Sequence, residues 1–356
     1  MSWTLFVILI LVLWIVCWCI AIFVLDAPNH NEYDACVGDF FDSHPDDEVA
    51  NRKLFSTIGK VREEAIKTKS LKGGLKRIRE FADNLSSDLE TDTAFSQVSI
   101  GDINAEWAVA PNVDVNRRIL FFHGGAFIFG SAVGHRKISD RLSRLANAAV
   151  LSVDYRLLPE NPRKASVLDA QYAYQWVIEN NLSERKPCDF LMLVGDSAGG
   201  NIALMLSSWS KQNNSRRPDG VIGLSPSLDS TFSAPSYKLN RKTDEILGPS
   251  LGKLLMIPKA IQLWIGLLTL RANPSNPELS PLFYDLVNLP PTLIHASSSE
   301  ILLGDAQRYT NKAINAGSNV TLQIWKDQIH DWHLFNMGIG SAVSAWNEVE
   351  KFVQRL

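Results

Sequence analysis

The sequence predicts an α/β fold, a mostly parallel sheet flanked by helices on both faces, and two patterns predict it. Beyond residue 95, short apolar runs rich in Val, Ile, Leu and Phe alternate with stretches of helical period. Most of these runs are apolar throughout rather than at every second position, which marks strands buried on both faces, as in a parallel sheet. The 356-residue chain is 46% hydrophobic, enough for one large core, and its 21 Gly and 16 Pro follow no period, which excludes collagen-like and low-complexity classes. With 35 basic against 38 acidic side chains the formal charge is -3, so nothing electrostatic points to nucleic acid as a partner.

The chain opens on its most apolar part. From Trp3 to Leu25 there is no charged residue, and Thr4 is the only polar side chain. As a helix this run rises about 34 Å, against a hydrocarbon core of about 30 Å. It reads as a transmembrane anchor, residues 1-25, rather than a cleaved signal peptide. No Lys or Arg precedes it, its apolar core exceeds the usual signal-peptide length, and Leu25-Asp26-Ala27 is a poor cleavage site. No Lys or Arg follows until Arg52, so the positive-inside rule leans only slightly towards a translocated catalytic part, lumenal or periplasmic. Cys17 and Cys19 lie inside the run; Cys36 and Cys188 form no framework and are expected to be free thiols.

Residues 26-95 read as a tether followed by amphipathic helices. Ile58, Val61, Ala65 and Ile66 form one stripe and Leu75, Ile78, Phe81 and Ala82 a second, with a break expected at Gly73-Gly74. Lys60, Arg62, Lys67, Lys69, Lys72, Lys76, Arg77 and Arg79 are expected to be a solvated helix face, the alternative being a surface that meets lipid headgroups. Residues 96-356 form the expected catalytic domain. Strands are predicted at 97-100 and 106-110 as a hairpin, then at 119-122, 150-154, 191-194, 221-224, 292-296 and 320-325. Helices are predicted at 136-149, 166-181, 198-213, 304-317 and 341-355. The connection from Ser225 to Pro291 is too long for a simple loop. Its apolar centre predicts a cap insertion at about 230-280 over an apolar site.

Chemistry concentrates at three strand ends. Gly195-Asp196-Ser197-Ala198-Gly199-Gly200 follows one strand and opens a helix, the setting in which G-x-S-x-G presents a nucleophile. After another strand comes His123-Gly124-Gly125-Ala126, where paired glycines let backbone N–H groups face a ligand; Gly124, Gly125 and Ala198 are the expected oxyanion donors. His123 is expected to organise that loop. A serine elbow of this kind takes its partners in the order Ser, acid, His, which selects Glu300 and His330. Asp305 is the rival acid and His333 the rival base. His295 falls inside a strand and reads as a core histidine, while His44 and His135 have no constellation around them. There is no H-E-x-x-H, no paired C-x-x-C and no phosphate-binding glycine signature, so neither metal nor cofactor is expected.

Over about residues 95-340 these motifs resemble the hormone-sensitive-lipase family of α/β-hydrolases, which includes the arylacetamide deacetylases. Asp154-Tyr155-Arg156-Leu157-Leu158-Pro159-Glu160 is similar to the family's D-Y-R-L-A-P-E segment, with a structural role near the active site. The chain departs from the pattern at Ala126, where Gly is common, and at Glu300, where Asp is usual; Leu302 keeps the acid's register. The resemblance implies the α/β-hydrolase fold, with a helical cap built from residues about 40-90 and 230-280. It also implies a serine carboxylester hydrolase acting through an acyl-enzyme on small-molecule esters with apolar acyl or alcohol groups. The same triad serves amidases, deacetylases and lactonases, and a non-catalytic receptor for a small ligand is the alternative from another class. Membrane-anchored deacetylases face a lumenal compartment, which agrees with the orientation above.

Overall fold

Nine strands form one sheet among residues 3-356, which the computed structural model describes; the first two positions of the predicted anchor, Met1 and Ser2, lie outside the described residues. The strands are β1 (Asp39–Phe41), β2 (Ala94–Ile100), β3 (Ile103–Val109), β4 (Asp114–Phe122), β5 (Ala148–Asp154), β6 (Phe190–Asp196), β7 (Gly220–Leu224), β8 (Thr292–Ser297) and β9 (Val320–Trp325). Their order is β1-β9-β8-β7-β6-β4-β5-β3-β2, parallel except where β3 pairs with β2 and β5. The helices are α1 (Trp3–Ile20), α2 (Asp47–Lys67), α3 (Leu71–Asp83), α4 (Arg136–Ala146), α5 (Arg163–Glu179) and α6 (Ala198–Gln212). They continue with α7 (Ser236–Leu239), α8 (Gly248–Leu251), α9 (Lys259–Leu270), α10 (Leu303–Asn315), α11 (Trp332–Phe335) and α12 (Gly340–Val353).

The period of two along each central strand divides the core between the two faces of the sheet. Leu120 and Phe122 of β4, with Leu191 and Leu193 of β6, pack on one face against α5, α6 and α10 through Val167, Ile202 and Tyr309. Ile119, Phe121, Met192 and Val194 pack on the other, against α4 and α12 through Leu142 and Trp346. Every residue of β6 is buried, as its unbroken apolar run requires. Because β4, β6, β7, β8 and β9 are parallel, their carboxyl ends meet at one edge, and the loops that follow them lie together there.

Two local features differ from the sequence reading, and a third adds detail to it. The segment read as a tether contributes β1, which pairs in parallel with β9 at Phe40 and Ile324 and stacks Phe41 on Trp325. Three residues are too few to carry a period. The break between α2 and α3 falls at 68-70 and not at Gly73-Gly74. Ser70 accepts the Gly73 N–H at 2.9 Å and caps α3, while Lys69 adopts a left-handed φ of 51°. A capped start outweighs the modest helix penalty of the glycines that follow. The connection after β7 contains α7, α8 and α9. Asn240 donates to the carbonyls of Ser298 and Glu300, and Asp244 accepts the Ile301 N–H, so this insertion grips the loop after β8.

Helix α1 and the turn that follows it, Trp3–Leu25, are together long and apolar enough to cross a membrane, with a mean hydropathy of 3.2; α1 is the part up to Ile20. It ends in a π-helical turn, Ala21–Leu25, whose Ala21 and Leu25 are buried against Ala260 and Leu263 of α9. Cys36 is exposed and Cys188 buried, and neither forms a disulfide.

Candidate active site

A sharp turn joins β6 to α6. Ser197 sits on it with φ 50° and ψ −112°, a strained conformation that lifts its side chain away from the sheet. The turn depends on Gly199: a Cβ there would lie 1.8 Å from the Phe122 carbonyl oxygen, so only glycine lets α6 approach the end of β4. The Ser197 N–H donates to Leu224 at 2.7 Å, which ties the turn to β7.

Ser197, His330 and Glu300 form one hydrogen-bonded chain. His330 Nε2 is 2.8 Å from Ser197 Oγ, and its Nδ1 is 3.1 Å from Glu300 Oε2. Glu300 Oε1 accepts the Ser225 hydroxyl at 2.7 Å and the Ser297 N–H at 3.0 Å, so the carboxylate is held from both sides. All three residues are buried. Burial pushes the Glu300 carboxyl up, while His330 and Ser225 pull it down.

The rival residues have other partners. Asp305, in the first turn of α10, accepts the N–H groups of Leu228 and Asp229 and the Tyr237 hydroxyl; burial and Asp229 push it up to about 8. It fastens the start of the insertion and makes no bond to His330. His333 Nε2 is 2.9 Å from His295 Nδ1, and burial holds both imidazoles below their ordinary pKa.

The loop after β4 is scaffolded by the 154-160 segment. Tyr155 stacks on His123 with ring centroids 4.4 Å apart and donates its hydroxyl to the His123 carbonyl. Burial drives the His123 pKa down to about 3, which keeps this imidazole neutral. The Leu158 N–H donates to Phe127, and Arg79 of α3 pairs with Glu160 at 2.8 Å. Gly125 takes φ +111°, in the left-handed region open to glycine. Gly124 lies against Asp196, so the glycine pair and the turn carrying Ser197 and Ala198 are in contact.

Two buried acidic neighbours escaped the sequence reading. Asp331 Oδ2 lies 3.1 Å from His330 Nε2, the nitrogen that also faces Ser197. Asp196 Oδ2 lies 3.3 Å from Nε2 of His135, which therefore belongs to a buried ion pair directly behind the turn. Burial opposes protonation of His330, but Asp331 and Glu300 outweigh it and raise its pKa well above 6.5. Their adjacency in sequence to Ser197 and His330 was the available signal. Among the described residues, no group of three or more His, Cys, Asp or Glu could hold a metal ion.

The model of a family described as the alpha/beta hydrolase fold matches residues 119-334. A crystal structure of an esterase from the bacterial hormone-sensitive lipase family superimposes with a TM-score of 0.70 at 28% identity, covering 85% of this chain and 98% of that one. The chain belongs to the hormone-sensitive-lipase family of α/β-hydrolases. An esterase of Acinetobacter venetianus is 35% identical over 239 residues, 67% of this chain and 75% of the relative. A carboxylesterase/phospholipase of Mycobacterium tuberculosis is 30% identical over 273 residues, 74% of this chain and 69% of that protein. The protein is a carboxylesterase-type hydrolase. As a hormone-sensitive-lipase relative it carries two departures with visible consequences. Ala126 holds a left-handed φ of 54°, a conformation that glycine adopts without strain. Glu300, one methylene longer than Asp, is braced at its far oxygen by Ser225.

Proposed function

We propose that the protein cleaves small-molecule esters with apolar acyl or alcohol groups through an acyl-enzyme on Ser197. The observation that carries this reading is the unbroken chain Ser197–His330–Glu300. As Ser197 Oγ bonds to the ester carbonyl carbon, its proton passes to His330 Nε2, and the same proton then leaves with the alcohol. Water repeats the sequence and frees the acid. Glu300 holds the tautomer in which Nε2 accepts, and the N–H groups of Gly124, Gly125 and Ala198 receive the oxyanion. No step calls for a cofactor. Helices α2 and α3 and the insertion containing α9 supply the apolar cap over the site.

Replacing Gly125 by Ala tests the oxyanion assignment. The new Cβ would meet the Phe129 carbonyl oxygen at 2.1 Å, so the loop must shift. The expected result is a kcat lower by about 10²-fold with little change in KM. A kcat equal to the parent's would remove this loop from the mechanism.

The base must be neutral to accept a proton, so activity rises with pH through the raised pKa of His330. The acid limb therefore lies above 6.5. Asp331 faces Nε2 directly and Glu300 faces Nδ1; Asp196 adds negative charge near Asp331, while His333 is held neutral by burial. Changing Asp331 to Asn removes the larger of the two attractions and is expected to move the acid limb of kcat/KM to lower pH; an unmoved limb would count against it.

We infer further that α1 spans a membrane as a single anchor, with the catalytic part on the translocated side. Because Ala21 and Leu25 cover α9, the separable part of the anchor stops short of them. Deleting residues 1-19 is expected to make the protein extractable from membranes by alkaline carbonate, which the parent resists, and to spare turnover of soluble p-nitrophenyl butyrate. Extraction of the parent by the same carbonate wash, or a variant that still resists it, would refute the anchor.

A further inference from the structure

Helix α9 is apolar on two sides, and α1 accounts for one of them. Ala260 and Leu263 are buried on Ala21 and Leu25, with Ile20, Trp264 and Leu267 around them. Away from that contact Ile261, Ile265 and Leu268 are 49%, 38% and 72% exposed, at spacings of four and three that align them on one helical face. The turn between α2 and α3 extends this surface with Ile66 and Leu71, 71% and 96% exposed. Ile66, Leu71 and Leu268 also line one apolar groove of about 940 Å³.

Contacts with the apolar helix determine what this surface meets. At one end of α9, Lys259 Nζ lies 3.6 Å from Asp26; just past the other end, Asn273 donates to the Val24 carbonyl at 2.9 Å. Both ends thus meet residues 24-26, where the apolar run stops, so α9 lies across its end instead of running along it. Between them the Trp264 indole N–H reaches the Cys17 carbonyl at 3.1 Å, about 12 Å up the helix from Leu25. When Trp3–Leu25 spans about 30 Å of hydrocarbon, that contact sits inside the acyl region, and α9 sits at its boundary. Arg271 follows α9, and Arg62 and Lys69 flank the neighbouring turn, as suits a surface among anionic headgroups.

We propose that α9 and the α2–α3 turn dock into the membrane leaflet where α1 ends, and that the groove between them admits lipophilic esters from that leaflet. The floor of the groove is Ile128, Leu158 and Pro159. The Ile128 N–H donates to the Gly125 carbonyl and the Leu158 N–H to Phe127, so the floor is continuous with the glycine loop beside Ser197. This inference rests on α1 being a membrane span.

The test uses the full chain in vesicles of phosphatidylcholine and phosphatidylserine. A fluorophore is attached at Leu13→Cys, Ile265→Cys or Lys351→Cys, with the four native cysteines replaced, and its quenching by acyl-brominated lipid is measured. Quenching at 13 and 265 but not at 351 is the expected result. Quenching at 13 alone would overturn the docking surface and leave the span intact; no quenching at 13 would refute the span and the docking with it. In the same vesicles, Ile261→Glu combined with Ile265→Glu is expected to lower turnover of membrane-borne p-nitrophenyl palmitate about tenfold or more beyond any loss on soluble p-nitrophenyl butyrate. Equal loss on both substrates, or on neither, would overturn the lateral route.

Discussion

Replacing Ser197 by Ala is expected to lower kcat/KM for p-nitrophenyl butyrate on the order of 10⁵-fold while leaving the fold intact. The loss is large because, in the proposed mechanism, the hydroxyl supplies the atom that becomes acylated, and no neighbouring group can substitute. His330 would still be present, but with nothing to deprotonate except water. What survives is the contribution of substrate binding and the oxyanion donors, a small residue of the total. The structural cost is slight. Ser197 Oγ bonds to His330, and the strained φ of 50° belongs to the turn rather than to the hydroxyl, so Ala inherits the same backbone. Thermal unfolding of the variant should therefore match the parent within a few degrees, on the scale of a surface change. Turnover within tenfold of the parent would rule out the acyl-enzyme, whatever the family membership. A fluorophosphonate probe gives an independent readout: it should label the parent and spare the variant.

Glu300→Gln should produce the second largest loss, about 10³- to 10⁴-fold in kcat. Gln keeps the shape, and its carbonyl can still accept from Ser225 and Ser297. Its amide then presents N–H to His330 Nδ1, which selects the tautomer with the proton on Nε2. That tautomer cannot accept from Ser197. Asp305→Asn is the matched control. Asp305 holds Leu228, Asp229 and Tyr237, and a carboxyl pushed up to about 8 is largely neutral near pH 7, as Asn is. Its kcat should stay within about tenfold of the parent, with any deficit appearing as lowered thermal stability. The reverse ranking would reassign the acid.

Much of this site was legible before any coordinates. Ser197 was legible because the turn that bears it is a steric problem solved locally, by Gly195 and Gly199 on either side. The strands were legible because burial on both faces writes itself as unbroken apolar runs, and β6 is the clearest case. Glu300 and Asp305 were harder to separate. They lie five residues apart after the same strand, and either could head the following helix; the bonds from Ser225 and the Ser297 N–H distinguish them. Ser225 reaches Glu300 across 75 residues of chain, a contact no local pattern encodes. The ion pair of His135 with Asp196 was hidden for the same reason.

Sequence alone therefore determined the α/β class, the apolar helix and the candidate site residues, because period, glycine sterics and length are properties of neighbouring residues. Tertiary structure decided which of those residues touch. His330 meets Ser197 across 133 residues only because parallel strands bring their carboxyl ends to one edge of the sheet. It also decided that Asp331 shares Nε2 with Ser197, and that the end of the apolar run is covered by α9. Proton affinity and burial depend on distance through space, and the folded chain sets that distance.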